Sequence, residues 1–215
     1  MPRSESRALI VGASRGIGAA LVAEGRARGW DVIGTTRDGD PAVDVTDAAS
    51  VAALPGRVGE VDLLVCNAGV YPDKGVDLDG TTDEMMRMAM EVNVVGVFAV
   101  VRAMRPCLRD GAKVAIVSSQ MGISARPAPN AFAYRASKAA ATNLAANLAV
   151  ALAPKVAVGA FHPGWVRTDM GGSSAAVSPE ESAKGLWDGF AALEPGLTGA
   201  GSGVIRSYDG TPLPF

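Results

Sequence analysis

Along the chain, short apolar runs alternate with longer stretches whose apolar positions recur every three or four residues. The run ALIVGA (8–13) contains β-branched residues and ends in glycine, which predicts a buried strand. GIGAALVAEGRARG (16–29) has helical spacing and stops at Gly29. DVIGTT (31–36) predicts a second strand and PAVDV (41–45) a short third. A short helix follows over DAASVAALP (47–55). VDLLVCNAG (61–69) reads as a strand running into a turn. Residues 81–108 read as one long helix that opens with Thr81 as its cap. KVAIVSS (113–119) is the next strand, 132–154 the second long helix, and KVAVGAFHPG (155–164) another strand. The capping start SPEES opens a last helix over 178–193, and SGVIRSYDG (202–210) closes the sheet.

Strands alternating with helices predict an α/β fold: a Rossmann-type, doubly wound, mostly parallel sheet with helices on both faces. The near-continuous apolar strands agree, because parallel strands are covered on both sides. With 215 residues and 48% hydrophobic content, the chain suffices for one domain over 1–215 with a substantial core. In such sheets ligands bind beyond the carboxyl ends of the strands.

Charge and composition narrow the classes. A formal net charge of −2 without long like-charge runs argues against a nucleic-acid surface. The apolar run near the start is too short to span a bilayer or to serve as a signal-peptide core, so no membrane partner is expected. Cys66 and Cys107 show neither metal spacing nor a disulfide framework, which fits a reduced, cytoplasmic setting and no metal.

Candidate chemistry begins at VGASRGIG, where Gly12, Gly16 and Gly18 lie between the first strand and the first helix. Glycines allow close approach of a ligand, and a helix N-terminus offers free N–H groups to a pyrophosphate. The spacing is G-x-x-x-G-x-G, and a tight turn without any ligand also fits it. The second strand ends in TTRD, so Thr36 stands where an acid would bind ribose hydroxyls, and Arg37 follows. With Arg15 inside the glycine turn, two guanidiniums near one ribose favour a 2′-phosphate, hence NADP(H) over NAD(H). Solvated surface charges remain the competing reading, with Asp38 and Asp40 near Arg37.

The ordered set GASRGIG, DVTD, CNAG, VNVVG, VSS, YRASK and HPGWVRTDM spans nearly the whole chain. It resembles the short-chain dehydrogenase/reductase family. YRASK, HPGWVRTDMGG and the ending YDGTPLPF are similar to its small cytoplasmic carbonyl reductases and signalling-factor-like members. The resemblance implies that Gly12, Gly16 and Gly18 form the pyrophosphate turn with Ile17 lining it. Ser14 and Arg15 count among the cofactor contacts. Asp44 and Val45 would sit at the adenine, and Asn67, Ala68 and Gly69 along the adenosine half. Pro163, Gly164, Val166 and Thr168 would hold the nicotinamide carboxamide. Asn93, Ser119, Tyr134 and Lys138 match the catalytic tetrad. A homodimer or homotetramer built on the two long helices is also implied. Two departures stand out. Only six residues separate GTTR from DVTD, so the usual helix between the second and third strands is missing. A parallel connection needs a dozen or more residues, so that third strand is expected to be very short, displaced or not parallel. The segment after Met170 is also short, which implies an open pocket or closure by a partner subunit.

The reaction expected is hydride transfer between NADP(H) and a small carbonyl or alcohol. Tyr134 and Lys138 are four residues apart and so share a helix face. A nearby cation favours a phenolate, so Lys138 is expected to lower the Tyr134 pKa. By resemblance it also binds the ribose hydroxyls. Ser119 can donate to the substrate oxygen, with Ser118 competing for that role. Asn93 lies mid-helix, where asparagine is a poor former; it either supports a water-linked proton relay or bonds to backbone. His162 reads as a core or loop residue and Cys66 as a small buried one. Met85, Met86, Met88 and Met90 read as packing. Trp165, Met170, Gln120, Met121, Tyr71 and Phe132 are candidates for the pocket wall. The rival reading is an NADP(H)-binding regulatory or signalling module with incidental turnover.

Overall fold

The computed structural model describes residues 6–195 and 205–214. Among them seven strands form one sheet: β1 (Arg7–Val11), β2 (Asp31–Thr35), β3 (Val61–Cys66), β4 (Leu108–Val117), β5 (Ala157–His162), β6 (Ile205–Ser207) and β7 (Pro212–Leu213). Their order is β2-β1-β3-β4-β5-β6-β7, parallel throughout except for the antiparallel β6–β7 pair. The order reverses beside β1, and the crevice beyond the strand ends opens there.

Alternation along each strand divides the core in two. Leu9, Leu64, Ile116 and Val158 face α5 (Val97–Met104) and α6 (Phe132–Leu152). Ile10, Val65, Val117 and Phe161 face α1 (Gly16–Ala27) and α7 (Pro179–Ala191), where Leu186 and Phe190 meet them. Each fully buried side chain of this size contributes roughly 2 kcal/mol relative to exposure. Burial on both faces is what makes these strands read as unbroken apolar runs.

Several boundaries differ from the sequence reading. Residues 41–45 form no strand: a single parallel bridge joins Thr36 to Ala42, and Val43 N–H donates to Thr36 at 2.8 Å. Six residues cannot carry the chain over the sheet and back in the same direction. The helix expected there is indeed missing. Before β3 come only the short pieces α2 (Ala48–Ala52), capped by Asp47, and α3 (Leu54–Val58).

The helix read over 81–108 is in fact three segments. It comprises α4 (Asp83–Met90), a π-helical stretch Glu91–Gly96 and α5, with a tight turn Arg105–Cys107 after them. Its cap is Thr82, whose hydroxyl accepts from Met85 N–H at 3.2 Å; the Thr81 hydroxyl donates to Asp77 carbonyl instead. Leu108 already belongs to β4, opposite Val61. Of the last predicted strand only Ile205–Ser207 forms β6, a turn takes 208–210, β7 lies beyond it, and residues 202–204 lie outside the described residues.

Candidate active site

The glycine turn joins the end of β1 to α1. Gly12 has φ +88, and a Cβ there would stand 2.7 Å from the main chain of Ala68. At Gly18 a Cβ would stand 2.0 Å from the Gly12 carbonyl, which also accepts from Asn67 Nδ2 at 2.6 Å. These two glycines therefore let the turn and the Asn67–Ala68–Gly69 segment interlock. Gly16, at φ +55, faces Thr168 at 3.0 Å. No side chain caps α1, whose N-cap is Arg15. An uncapped helix start behind a glycine turn leaves main-chain N–H groups for an anion, so the residues fit a dinucleotide pyrophosphate. Ser14 is exposed beside it, and Ile17 packs partly against the core. Arg15 is exposed and pairs with Asp169 at 2.8 Å. That pair links the turn to the segment carrying Pro163, Gly164, Val166 and Thr168.

At the adenine side, Arg37 is exposed. Asp44 accepts from Thr46 N–H and hydroxyl at 2.9 and 2.7 Å. These bonds, with Arg37 nearby, hold its carboxyl below the usual range. Val45 packs on Gly96, where a Cβ would stand 2.8 Å from it. Both predicted adenine contacts thus already have partners within the chain.

Beyond β4 and at the start of α6 the four predicted catalytic residues come together. Ser118 is buried and structural: its hydroxyl donates to the Lys138 carbonyl at 2.9 Å and meets Thr142 at 2.7 Å. Ser119 caps a turn through Met121 N–H at 3.1 Å and lies near enough to the Tyr134 phenol to favour its ionised form. Lys138 Nζ lies 5.6 Å from the Tyr134 ring centre and donates to the Val117 carbonyl at 2.9 Å.

The electrostatics run against the sequence expectation in the chain alone. Burial pushes the Tyr134 phenol up to about 12, only partly countered by Ser119. Burial also pushes Lys138 down to about 8. The same desolvation that raises an acid lowers a base, and here it sets the direction of both shifts.

Asn93 sits in the π-helical stretch, a distortion often found at functional sites. Its Oδ1 accepts from Val70 N–H at 2.9 Å. Its Nδ2 donates to the Val70 carbonyl at 3.0 Å and to Ser137 at 2.9 Å. Both amide protons are committed, so a relay would use the remaining Oδ1 lone pair or the main-chain carbonyl. Ser137 in turn donates to the Tyr134 carbonyl at 2.8 Å.

The segment after β5 is tied to residues that follow it. Val166 bridges Val177, and Arg167 Nη1 donates to the Ala175 and Ala176 carbonyls at 3.1 and 2.8 Å. Ser182 donates to the Pro163 carbonyl at 2.6 Å. Gly164, at φ +89, would set a Cβ 2.9 Å from the Tyr208 ring, and Gly185 one 2.0 Å from the Tyr208 carbonyl. His162 is buried with Nδ1 unpartnered, and burial drops its pKa to about 4. Cys66 is buried and pushed up to about 12, an inert thiol. Trp165 is half exposed, with its indole N–H on the Gly171 carbonyl at 2.9 Å.

Sequence reasoning missed Asp73, Ser137 and Asp169. Asp73 is fully buried and accepts from Ala133 and Tyr134 N–H, some 60 residues away. Nothing local in YPDKGVD marks it apart from its acidic neighbours. Tyr71 stacks on Tyr134, ring centres 4.1 Å apart at 20°. Among the described residues no cluster of His, Cys, Asp or Glu could hold a metal ion. No helix there is long and apolar enough to cross a membrane.

Comparison with known proteins adds four findings. The family profile described as short chain dehydrogenase matches residues 6–178. The chain is 34% identical over 230 aligned positions to 1-hydroxy-2-glutathionyl-2-methyl-3-butene dehydrogenase of Rhodococcus sp. (strain AD45), covering 97% of this chain and 99% of that protein. It is 37% identical over 161 positions to the C-signal protein of Myxococcus xanthus, covering 73% and 94%. A short-chain dehydrogenase/reductase from Burkholderia multivorans with bound NADP superposes with a TM-score of 0.88 at 29% identity, covering 98% of this chain and all of that one.

Proposed function

The chain belongs to the short-chain dehydrogenase/reductase family, whose members are nicotinamide-dependent oxidoreductases; on that premise we propose that it moves a hydride between NADP(H) and a small carbonyl or alcohol, with Tyr134 as general acid and base. The observation that carries this is the meeting of Ser119, Tyr134 and Lys138 at the strand ends, beside an uncapped, glycine-lined helix start.

When bound, the nicotinamide supplies or takes the hydride at the substrate carbon. Ser119 orients the substrate oxygen by donating a hydrogen bond. Met121 N–H takes one of the serine hydroxyl's two acceptor lone pairs, which leaves the O–H free to turn toward the substrate oxygen. Tyr134 gives its proton to the oxygen as negative charge builds there. A phenol held near 12 stays protonated at neutral pH, which suits it to the reducing direction. Lys138 stabilises the phenolate left behind, and near 8 it can itself exchange a proton at physiological pH. The Burkholderia relative binds NADP, and exposed Arg15 and Arg37 suit a 2′-phosphate.

Ketones, aldehydes and quinones screened with NADPH and NADH, following cofactor absorbance, test the reading. Tyr134→Phe should keep NADPH binding and lose roughly a hundredfold or more in turnover. Full activity in that variant sinks the mechanism. The likeness to C-signal favours a second reading, an NADP(H)-binding signalling module. It gains if a Gly16 variant abolishes the biological effect while Tyr134→Phe does not.

A further inference from the structure

We propose that Asp73 is a positioning residue for Tyr134: its carboxylate serves as the missing cap of α6 and fixes where the phenol stands. The inference rests on the reading of Tyr134 as proton donor and extends it to the loop that holds it.

The start of α6 lacks a cap of its own. Ala131 occupies the N-cap in the left-handed region, φ 59, and a methyl group accepts no hydrogen bond. The first N–H groups of a helix have no intrahelical partner, and burying them unpaired is costly. The loop 71–76 supplies the acceptors. Val76 carbonyl takes Ala131 N–H at 3.0 Å, Asp73 Oδ2 takes Ala133 N–H at 2.6 Å, and Asp73 Oδ1 takes Tyr134 N–H at 3.2 Å. The tyrosine's own main chain is therefore one of the groups held. Tyr71, two residues before Asp73, lies against the face of its ring. One loop thus grips both the backbone and the ring of the same residue.

The far end of that loop is fixed as well. Val70 is bonded through both N–H and carbonyl to Asn93, directly after the Asn67–Gly69 segment interlocked with the glycine turn. A Ser or Asn at 131 would cap the helix without burying a charge. Asp73 is wholly buried and pairs with no cation among the described residues. A charge kept at that depth is sustained by the helix N-terminus it binds. What it provides beyond a local cap is a tie between the cofactor side of the crevice and Tyr134.

The test uses the full chain with NADPH and a substrate from the screen above. Asp73→Ala should speed amide exchange at Ala133 and Tyr134 and lower kcat, each by roughly tenfold or more, with the NADPH dissociation constant within about twofold. Asp73→Asn keeps one acceptor oxygen and should fall between wild type and Asp73→Ala on both scales; it carries the test if Asp73→Ala does not fold. Thr82→Ala, which uncaps α4, should lower Tm while leaving kcat near wild type. Unchanged exchange overturns the clamp. Faster exchange with unchanged kcat reduces Asp73 to a helix cap and overturns the positioning role. An active Tyr134→Phe would sink the proposed chemistry instead, and the exchange result would stand apart from it.

Discussion

Lys138→Met separates the cost of a buried ammonium from its use. Lys138 is 5% exposed, and its folded pKa of about 8 lies below the ordinary 10.5. Between those values the unfolded chain holds a proton that the folded chain has released. Stability from this group therefore rises with pH across the window and is lost as pH falls toward 8. At pH 7 the charge costs about 3 kcal/mol relative to a neutral amine, and at pH 10 about 1 kcal/mol. Methionine removes the titration but also leaves the Val117 carbonyl without its 2.9 Å donor, a loss of about 1–3 kcal/mol that does not vary with pH. The net difference at neutral pH is therefore small, while the slope is not. Wild type should gain about 2 kcal/mol on Lys138→Met between pH 7 and pH 10. Cys66 and Tyr134, which also titrate in alkali, are common to both chains and cancel. Urea unfolding of the two cofactor-free proteins across this range measures the difference. A pH-independent gap would refute the assignment of the lowered pKa to Lys138. Turnover, by contrast, should fall in Lys138→Met at every pH.

Acid should reveal His162. Its folded pKa of about 4 lies below the ordinary 6.5, so protection it contributes above 6.5 is lost as pH falls toward 4. Tm should drop across that interval in wild type by more than in His162→Asn; parallel curves would contradict the burial argument. At the other end of the crevice, Arg15→Ala and Arg37→Ala should each raise the KM for NADPH roughly tenfold and leave that for NADH within a factor of about two, as expected for one charge-assisted phosphate contact. Equal losses with both cofactors would remove the 2′-phosphate from the argument.

The parts legible in the sequence were those whose cause is local. Strand β1 and the glycine turn follow from an apolar run broken by residues with no side chain. The pairing of Tyr134 with Lys138 follows from helical spacing alone. The rest depended on partners distant along the chain. Thr81 and Thr82 are equivalent caps on paper, and the Asp77 carbonyl decides between them by taking the Thr81 hydroxyl at 2.6 Å. The unbroken helix over 81–108 failed because Asn93 answers to Val70, 23 residues earlier, rather than to its own turn. The direction of the Tyr134 shift was missed for a similar reason. Spacing shows that a cation is near, whereas burial is set by the whole fold. Asp73 belongs to the same class, since its role exists only once α6 has docked.

The notch in which Tyr208 sits has a bearing on the order of assembly. Gly164 and Gly185 are bare where the Tyr208 ring and carbonyl press in, and Tyr208 N–H donates to the His162 carbonyl at 2.8 Å. The segment expected to receive the nicotinamide end is thus walled by the turn that follows β6. On the ribosome the glycine turn and its neighbouring strands emerge before this wall does. Contacts of such long sequence separation form slowly. A nascent chain would therefore own a grip for phosphate before it owns a place for the reactive ring.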